Sequence, residues 1–217
     1  MTDYAQRRTV MVDTQVRPSD VTKYPIIDAM LSVPREAFVP EAQRDLAYMG
    51  AHVPLSADRV MLEPRTLAKM LDVLDVTPRE MVLIIGAGLG YTAAIVSRMA
   101  EAVIAVEEDP DMATEAETTL GEHGADNVAV ITAALAQGSA RHGPYDVILI
   151  EGGIAQLPQA IADQLKDGGR IAAMFMAGAL GEMRVGYKID GVISWRMAFN
   201  ATAPVLDGFQ KEPGFVF

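Results

Sequence analysis

The feature that most constrains the fold is a regular alternation of apolar runs with helical segments from Arg65 onward. The runs MVLIIG, AVIAVEE, NVAVITA, YDVILIEGG and RIAAMFMA have strand length and are apolar almost throughout. The segments between them have helical periodicity. In RTLAKMLDVLDV, for example, one face carries Leu67, Met70, Leu71 and Leu74. Strands that are apolar on both faces indicate a parallel sheet covered by helices on both sides. We therefore predict an α/β fold with a doubly wound, mainly parallel sheet.

Two regions flank this core. Residues 1–64 are polar and rich in proline, with a short helix predicted over YPIIDAMLSV, and we interpret them as an N-terminal helical and loop lid on a domain at 65–217. Near the other end, GEMRVGYKIDG and VISWRMAFNA are separated by an Asp-Gly pair that favours a hairpin turn. They predict an antiparallel closing element in which Trp195 packs on a sheet face. Phe215 and Phe217 of the tail either dock on the domain or mark a partner surface.

Composition disfavours several classes of function. The chain has no cysteine, and its three histidines show no metal-ligand spacing, so we predict no metal site. A net charge of −11 opposes binding to a phosphate backbone, and the basic residues are dispersed. No apolar run approaches the length of a membrane span, about 20 residues, and the N-terminus lacks the apolar segment of a secretion signal. These features predict a cytoplasmic protein without a nucleic-acid or membrane partner.

The stretch VLIIGAGLGYTAAIV has the pattern of a strand, a glycine turn and a helix. In an open parallel sheet such a turn lies beyond the carboxyl end of a strand, where these sheets bind ligands. Gly86, Gly88 and Gly90 allow a tight turn and close approach of a ligand to the backbone. N–H groups at the start of the helix favour an anionic group. This chemistry suits a pyrophosphate and an amino-acid carboxylate equally.

Two details favour S-adenosylmethionine over a dinucleotide. A dinucleotide motif places its third glycine one position later, where this chain has Tyr91, and the tighter spacing is common in S-adenosylmethionine enzymes. Glu107 ends the second core strand, where its carboxylate can accept hydrogen bonds from both hydroxyls of a ribose. In the alternative interpretation, the glycines only let the helix pack on the strand and Glu107 caps a loop. The glycine spacing disfavours a nicotinamide-dependent oxidoreductase.

Further segments lie in the order and spacing of one known family. They are MVDTQV, AMLSVPREAFVP, AYMGAHVPL, RVMLEP, VLIIGAGLGYTAAIV, AVEED, DNVAV, GPYDVILIEGG and QLKDGGRI. They resemble the protein-L-isoaspartate O-methyltransferase family over residues 10–175, and VPREAFVP is the most specific of them. The resemblance implies a class I methyltransferase (Rossmann-like) fold with S-adenosylmethionine as the methyl donor. It also implies a substrate protein or peptide whose isoaspartyl carboxylate is methylated as the first step of repair.

The loop and the resemblance together predict the cofactor-binding residues. These are Gly86, Ala87, Gly88, Gly90, Tyr91, Glu107, Glu108, Ala134 and Glu151. Glu151 ends the fourth core strand beside the predicted crevice. It either substitutes for a missing polar group or is an ordinary solvated loop residue. The oligomeric state is left open between monomer and dimer.

The chain departs from the family's pattern where chemistry is expected. Leu62 stands where members usually carry a Ser or Thr that contacts the substrate, and a leucine cannot donate a hydrogen bond to a carboxylate. The family's acidic residue in the first strand falls on Ile84, its Asp in the tyrosine-containing segment on Gly50, and its Gly-Asp-Gly on residues 133–135. Each lost charged hydrogen bond removes about 1–3 kcal/mol. Two such losses weaken cofactor binding by roughly one to four powers of ten.

Two hypotheses follow. The favoured one is an S-adenosylmethionine-dependent methyltransferase of the isoaspartyl type, with altered substrate preference and reduced turnover. The alternative is a catalytically silent relative that binds S-adenosylmethionine or nothing and acts through protein contacts. Methyl transfer to a carboxylate depends more on alignment of the nucleophilic oxygen than on acid–base help. We therefore expect the replacement at Leu62 to harm substrate placement more than chemistry.

Overall fold

The computed structural model describes residues 3–211, and the tail residues Phe215 and Phe217 lie outside this range. The helices are α1 (Tyr4–Met11), α2 (Tyr24–Ser32), α3 (Pro64–Leu74), α4 (Tyr91–Ser97), α5 (Pro110–Glu122) and α6 (Gln159–Gln164). The strands are β1 (Val53–Pro54), β2 (Val60–Met61), β3 (Met81–Ile85), β4 (Ala102–Glu107), β5 (Val128–Thr132), β6 (Tyr145–Ile154), β7 (Leu165–Ala177), β8 (Leu180–Ile189) and β9 (Val192–Asn200). Among the described residues, no helix is both long enough and apolar enough to span a bilayer.

Seven strands form one sheet in the order β5-β4-β3-β6-β7-β8-β9. The pairings from β5 to β7 are all parallel. The last two strands, β8 and β9, are antiparallel to their neighbours and form the predicted closing pair. These observations confirm the α/β class with a mainly parallel sheet.

The core lies on both faces of the sheet because successive side chains of a strand point to opposite sides. In β3, Val82 and Ile84 belong to one cluster of buried residues, while Leu83 and Ile85 belong to another. The apolar face of α3 predicted from the sequence is buried in the first cluster. The continuous apolar strands therefore serve two core layers at once.

Two elements differ from the sequence prediction. Residues 4–11 form α1, where the sequence favours turns, because the Asp3 side chain accepts a hydrogen bond from the Gln6 N–H at 3.0 Å and caps the helix. The segment between YDVILIEGG and RIAAMFMA, one of those predicted to be helical, forms a helix only over Gln159–Gln164. It ends there because Leu165 already pairs with Tyr145 as the start of β7.

The N-terminal residues share the core of the sheet. Met11, Met30 and Phe38 are buried in the same cluster as Val82. β1 and β2 pair with each other as a small antiparallel unit, and we call residues 53–61 the N-terminal hairpin. The division into a lid and a separate domain stays a prediction.

After β9, residues 201–209 return to the carboxyl end of β6, and we call them the C-terminal strap. The Gly153 N–H donates to the Pro204 carbonyl at 2.7 Å, and the Leu206 N–H donates to the Gly153 carbonyl at 2.9 Å. The Ala155 N–H donates to the Phe209 carbonyl at 2.8 Å. The hairpin and the strap both lie at the sheet edge where the glycine loop follows β3.

Candidate functional site

The candidate site lies where β3, β4 and β6 end. β3 pairs with β4 on one side and with β6 on the other, so the loop after β3 lies at the point where the strand order reverses. Such switch points are the usual ligand crevices of open parallel sheets. The glycine loop, Glu107 and Glu151 follow these three strands or lie near their ends. The structure thus brings together residues that are distant in the sequence.

The glycine loop has the backbone shape that its sequence predicts. Gly86, Gly88 and Gly90 have φ values of 82°, 55° and 95°, a region that favours glycine. The N–H groups of Gly86 and Ala87 both donate to the Val106 carbonyl, and the Gly90 N–H donates to the Ala87 carbonyl. The Gly88 N–H donates to a carboxylate of the protein. These four N–H groups therefore already have acceptors within the chain.

That carboxylate belongs to Glu107, whose side chain is fully buried. Its Oε2 accepts from the Gly88 N–H at 2.7 Å, and its Oε1 accepts from the N–H groups of Glu108 and Asp109 at 2.9 and 3.2 Å. Arg59 binds both oxygens, with Nη1 2.7 Å from Oε1 and Nη2 2.7 Å from Oε2. Every acceptor position that a ribose would use is engaged by the protein itself.

Arg59 was not predicted as a site residue from the sequence. It lies on the N-terminal hairpin directly before β2, and its side chain is only 7% exposed. Burial alone would lower the pKa of Arg59, but the hydrogen bonds and the charge of Glu107 raise it above its usual value. The only signal in the sequence is a single basic residue at the start of RVMLEP, and pairing with a residue 48 positions later is a tertiary contact.

Apolar side chains of the hairpin and the strap pack on the glycines of the crevice. A Cβ built on Gly88 would lie 2.6 Å from Leu55 Cδ1, and one built on Gly152 would lie 2.5 Å from Leu206. A Cβ on Gly86 would lie 3.2 Å from Arg59 Nη2 and 3.3 Å from Leu206 Cδ1. The space above the loop is therefore occupied by Leu55, Arg59 and Leu206.

Glu151 lies in β6 and is 4% exposed, so it is not a solvated loop residue. Its Oε2 has no hydrogen-bond partner among residues 3–211, and the same is true of the nearby Thr92 Oγ1. Burial raises the pKa of Glu151 to about 8, although the neighbouring Thr92 hydroxyl and the charges of Arg59 and Arg35 act in the opposite direction. The side chain is therefore a neutral carboxylic acid at neutral pH and can donate a hydrogen bond.

Leu62 is fully buried in the core cluster that includes Val82. Its carbonyl accepts a hydrogen bond from Arg35 Nη2 at 2.6 Å. Arg35 comes from the VPREAFVP segment and is itself fully buried, with its Cζ 4.7 Å from the centre of the Tyr91 ring. The VPREAFVP segment therefore supports the backbone at Leu62, and the Leu62 side chain provides no polar group.

The remaining predicted residues lie around the crevice in different ways. Tyr91 begins α4 and its ring is buried in the core against Phe38 and Arg35. Glu108 is partly exposed, with Oε1 4.0 Å from Arg59 Nη1. Ala134 is exposed after β5, next to Ala133, whose N–H donates to the Glu107 carbonyl. Their roles toward a cofactor stay predictions.

A cavity of about 1000 Å³ has Glu63, the residue after Leu62, in its wall. Its lining includes His52 and Glu63 from the N-terminal side, Phe175 and Met176 from β7, and Arg184 from β8. The His52 Nδ1 accepts from the Glu63 N–H at 2.9 Å. The cavity combines an apolar wall with the Arg184–Glu182 ion pair, so a carboxylate entering it would compete with Glu182 for the guanidinium.

Comparison with known proteins identifies the family. A sequence model described as protein-L-isoaspartate(D-aspartate) O-methyltransferase matches residues 6–185. The chain belongs to this family. Its relatives include the protein-L-isoaspartate O-methyltransferase of Syntrophus aciditrophicus, 36% identical over 171 residues, which are 79% of this chain and 78% of that protein. The enzyme of the same name from Rhodopseudomonas palustris is 39% identical over 161 residues, 74% of each chain.

Solved structures of the family have the same fold. One protein-L-isoaspartate O-methyltransferase superposes with a TM-score of 0.80 at 22% identity, covering 95% of this chain and 66% of that chain. A putative member from Plasmodium falciparum, in complex with S-adenosyl-L-homocysteine, superposes with a TM-score of 0.79 at 18% identity and covers 95% of this chain and 99% of that one. These likenesses confirm the class I methyltransferase fold. Residues 186–211, which include the strap, lie outside the span matched to the family.

Proposed function

We propose that this chain is an S-adenosylmethionine-dependent protein-L-isoaspartate O-methyltransferase. The observation that carries the proposal is the family match over residues 6–185, which includes VPREAFVP, the glycine loop and Glu107. The arrangement at the sheet edge supports it, because the loop glycines keep their positive φ values and Glu107 ends β4 beside them. When bound, S-adenosylmethionine supplies the methyl group.

The residues of the crevice do not admit this cofactor as they are arranged. Both oxygens of Glu107 are bound by Arg59, and Leu55 and Leu206 pack directly on Gly88 and Gly152. A ribose at Glu107 and the Arg59 guanidinium would compete for the same two oxygen atoms. The proposed function therefore requires the hairpin to move.

The substrate side of the proposal rests on the cavity whose wall includes Glu63, the residue after Leu62. A peptide lying there would meet Arg184, which is already paired with Glu182 at 2.7 Å. Its carboxylate would compete with Glu182 for that guanidinium. Leu62 supplies no hydroxyl, and an ionised carboxylate buried without donors costs more than the roughly 2–7 kcal/mol of an unpaired neutral polar group. We expect weaker placement of the isoaspartyl carboxylate than a Ser or Thr would give.

Two observations favour a second candidate, a silent relative that acts through protein contacts. They are the closed crevice and the fully buried Leu62. This candidate predicts no methyl transfer under any condition. A weakened enzyme predicts slow transfer that is specific for isoaspartyl peptide.

The test is methyl transfer from radiolabelled S-adenosylmethionine to an isoaspartyl peptide, with the same peptide containing ordinary aspartate as substrate control. A matched pair of isosteric variants, Glu107→Gln and Glu80→Gln, separates the crevice from general effects. Each variant removes a carboxylate that is bound bidentately by an arginine, but Glu80 pairs with Arg170 just before β3, at the opposite edge of the sheet. We expect transfer to isoaspartyl peptide alone and a loss of at least tenfold in Glu107→Gln only. Equal signals from both peptides would refute the proposed specificity, and no signal at millimolar cofactor would support the silent relative.

We also propose a cytoplasmic location and no nucleic-acid partner. The acidic composition and the dispersed basic residues support both. The oligomeric state is open. A filter-binding measurement with RNA and DNA at low salt tests the second point, because electrostatic binding is strongest there.

A further inference from the structure

The Arg59–Glu107 pair is unusual for a surface crevice. The two side chains are 7% and 0% exposed, and two short hydrogen bonds join them. A bidentate guanidinium–carboxylate pair has the geometry with which proteins recognise carboxylates. Its arginine comes from the N-terminal hairpin, and its glutamate ends β4, which lies next to β3 in the sheet. The pair therefore fixes the hairpin onto the sheet edge.

Two apolar contacts strengthen this closure. Leu55, from the same hairpin, lies on Gly88, and Leu206, from the strap, lies on Gly86 and Gly152. The strap is held by hydrogen bonds at both sides of Gly153. Gly86 follows β3 and Gly152 lies in β6, and the Leu206 side chain contacts both. Leu206 therefore fills the switch point between these two strands.

We propose that Arg59 is the residue that determines cofactor affinity in this chain, because its guanidinium occupies the ribose position at Glu107 and must leave before a cofactor binds. This inference rests on the proposed function only in taking Glu107 as the ribose acceptor. Leu206 is the second occupant, over the loop glycines. Binding is therefore an exchange of ligands at Glu107, in which hydroxyl donors replace guanidinium donors.

Glu108 gives the displaced arginine a new partner. Its Oε1 lies 4.0 Å from Arg59 Nη1 and its side chain is one-third exposed, on the solvent side of the pair. A small outward movement of the hairpin transfers the guanidinium from Glu107 to Glu108 without leaving the charge unpaired. The exchange avoids the penalty of an isolated buried charge.

The experiment is calorimetric titration of the full chain and its variants with S-adenosylhomocysteine. Arg59→Gln removes the internal occupant, and Leu206→Ala removes the apolar occupant without touching the ion pair. Arg170→Gln is the matched control, because Arg170 forms a bidentate pair with Glu80 near the start of β3. Urea unfolding of each variant verifies that it is folded at the titration temperature.

We expect Arg59→Gln to bind S-adenosylhomocysteine at least tenfold more tightly than the unaltered chain, a gain of about 1.4 kcal/mol. Leu206→Ala tightens binding in the same direction, and Arg170→Gln leaves it unchanged. The inference is overturned if folded Arg59→Gln binds no more tightly than the unaltered chain, whatever the result for Leu206→Ala. It is also overturned if Arg170→Gln tightens binding as much as Arg59→Gln, since the gain would then come from general loosening.

Parallel methyl-transfer assays separate this inference from the proposed function. Tighter binding in Arg59→Gln without methyl transfer to isoaspartyl peptide supports the inference and counts against the enzyme. Methyl transfer by the unaltered chain, with affinity unchanged in Arg59→Gln and Leu206→Ala, supports the enzyme and overturns the inference.

Discussion

Replacing Glu151 with glutamine tests the electrostatics of the crevice directly. Glu151 is 4% exposed, its Oε2 has no partner in the described part of the chain, and burial raises the pKa of its carboxyl to about 8. The native state therefore keeps a proton that the unfolded chain, with a usual pKa of 4.5, has released. Gln is neutral at every pH and nearly isosteric, so Glu151→Gln removes this titration while preserving the packing.

The sign and size of the pH effect on stability follow from the linkage between proton binding and folding. Between pH 4.5 and about 8 the native state binds more protons than the unfolded state, so the free energy of unfolding falls as the pH rises. Within this window each pH unit lowers the free energy of unfolding by about 1.4 kcal/mol, and the total loss is roughly 4–5 kcal/mol. The cost is absent at the acidic end and complete above the native pKa. We therefore expect Glu151→Gln to gain stability over the unaltered chain as the pH rises, by roughly 3–5 kcal/mol between the two ends.

The assay is urea unfolding followed by circular dichroism at several pH values from about 5 to about 9. Glu80→Gln is a control without pH dependence in this range. Burial would raise the pKa of Glu80, but Arg170 holds it below its usual value of 4.5, so Glu80 is ionised throughout and this variant is less stable by an amount that stays constant with pH. A difference between Glu151→Gln and the unaltered chain that stays flat with pH would refute the reasoning. Glu151 would then be ionised throughout and paired with Arg59 or Arg35.

Three further predictions concern the same region. Leu62→Ser restores a hydroxyl at the substrate position, and we expect it to raise methyl transfer to isoaspartyl peptide by about tenfold while costing about 2–5 kcal/mol of stability; a folded variant without a gain would count against the enzyme. Glu107→Gln removes the bidentate partner of the buried Arg59 and leaves only the long contact to Glu108 at 4.0 Å, and urea unfolding should show a loss of about 3–5 kcal/mol; a loss below about 1 kcal/mol would mean that Glu108 takes over the guanidinium or that the pair is solvated. Gly88→Ala places a Cβ at φ 55° against the hairpin, so it should cost more in urea unfolding than Gly124→Ala, where φ is 71° and the Cβ meets open space; equal costs would show that only backbone strain matters.

The sequence determined the main architecture because continuous apolar strands leave few alternatives. MVLIIG and YDVILIEGG are apolar on both faces, and only a parallel sheet covered on both sides buries them. The tight turn of the glycine loop was also predictable from the sequence, and Gly86, Gly88 and Gly90 all have positive φ values. The sequence predicts an element correctly where the structure of that element depends on residues of its own segment.

Other elements were decided by contacts between distant segments. The start of α1 depends on one cap at Asp3, and α6 is short because Leu165 joins β7, which periodicity alone does not reveal. For Glu151, sequence reasoning left a solvated loop residue and a crevice residue equally open. Only the packing around β6 decided that its carboxyl is buried and holds a raised pKa.

The candidate site is set partly by local sequence and partly by contacts between distant segments. The sequence placed Glu107 at the end of a core strand beside the glycine loop, because strand ends and loop spacing are local properties. It did not place Arg59 there, since a hairpin's docking on the sheet depends on the whole N-terminal packing. It also did not place Leu206 over Gly152, because the strap returns from the far end of the chain. The sequence by itself determined that the glycine loop and Glu107 meet at the crevice after β3, and only the tertiary structure decided that three of the chain's own side chains, Leu55, Arg59 and Leu206, fill it.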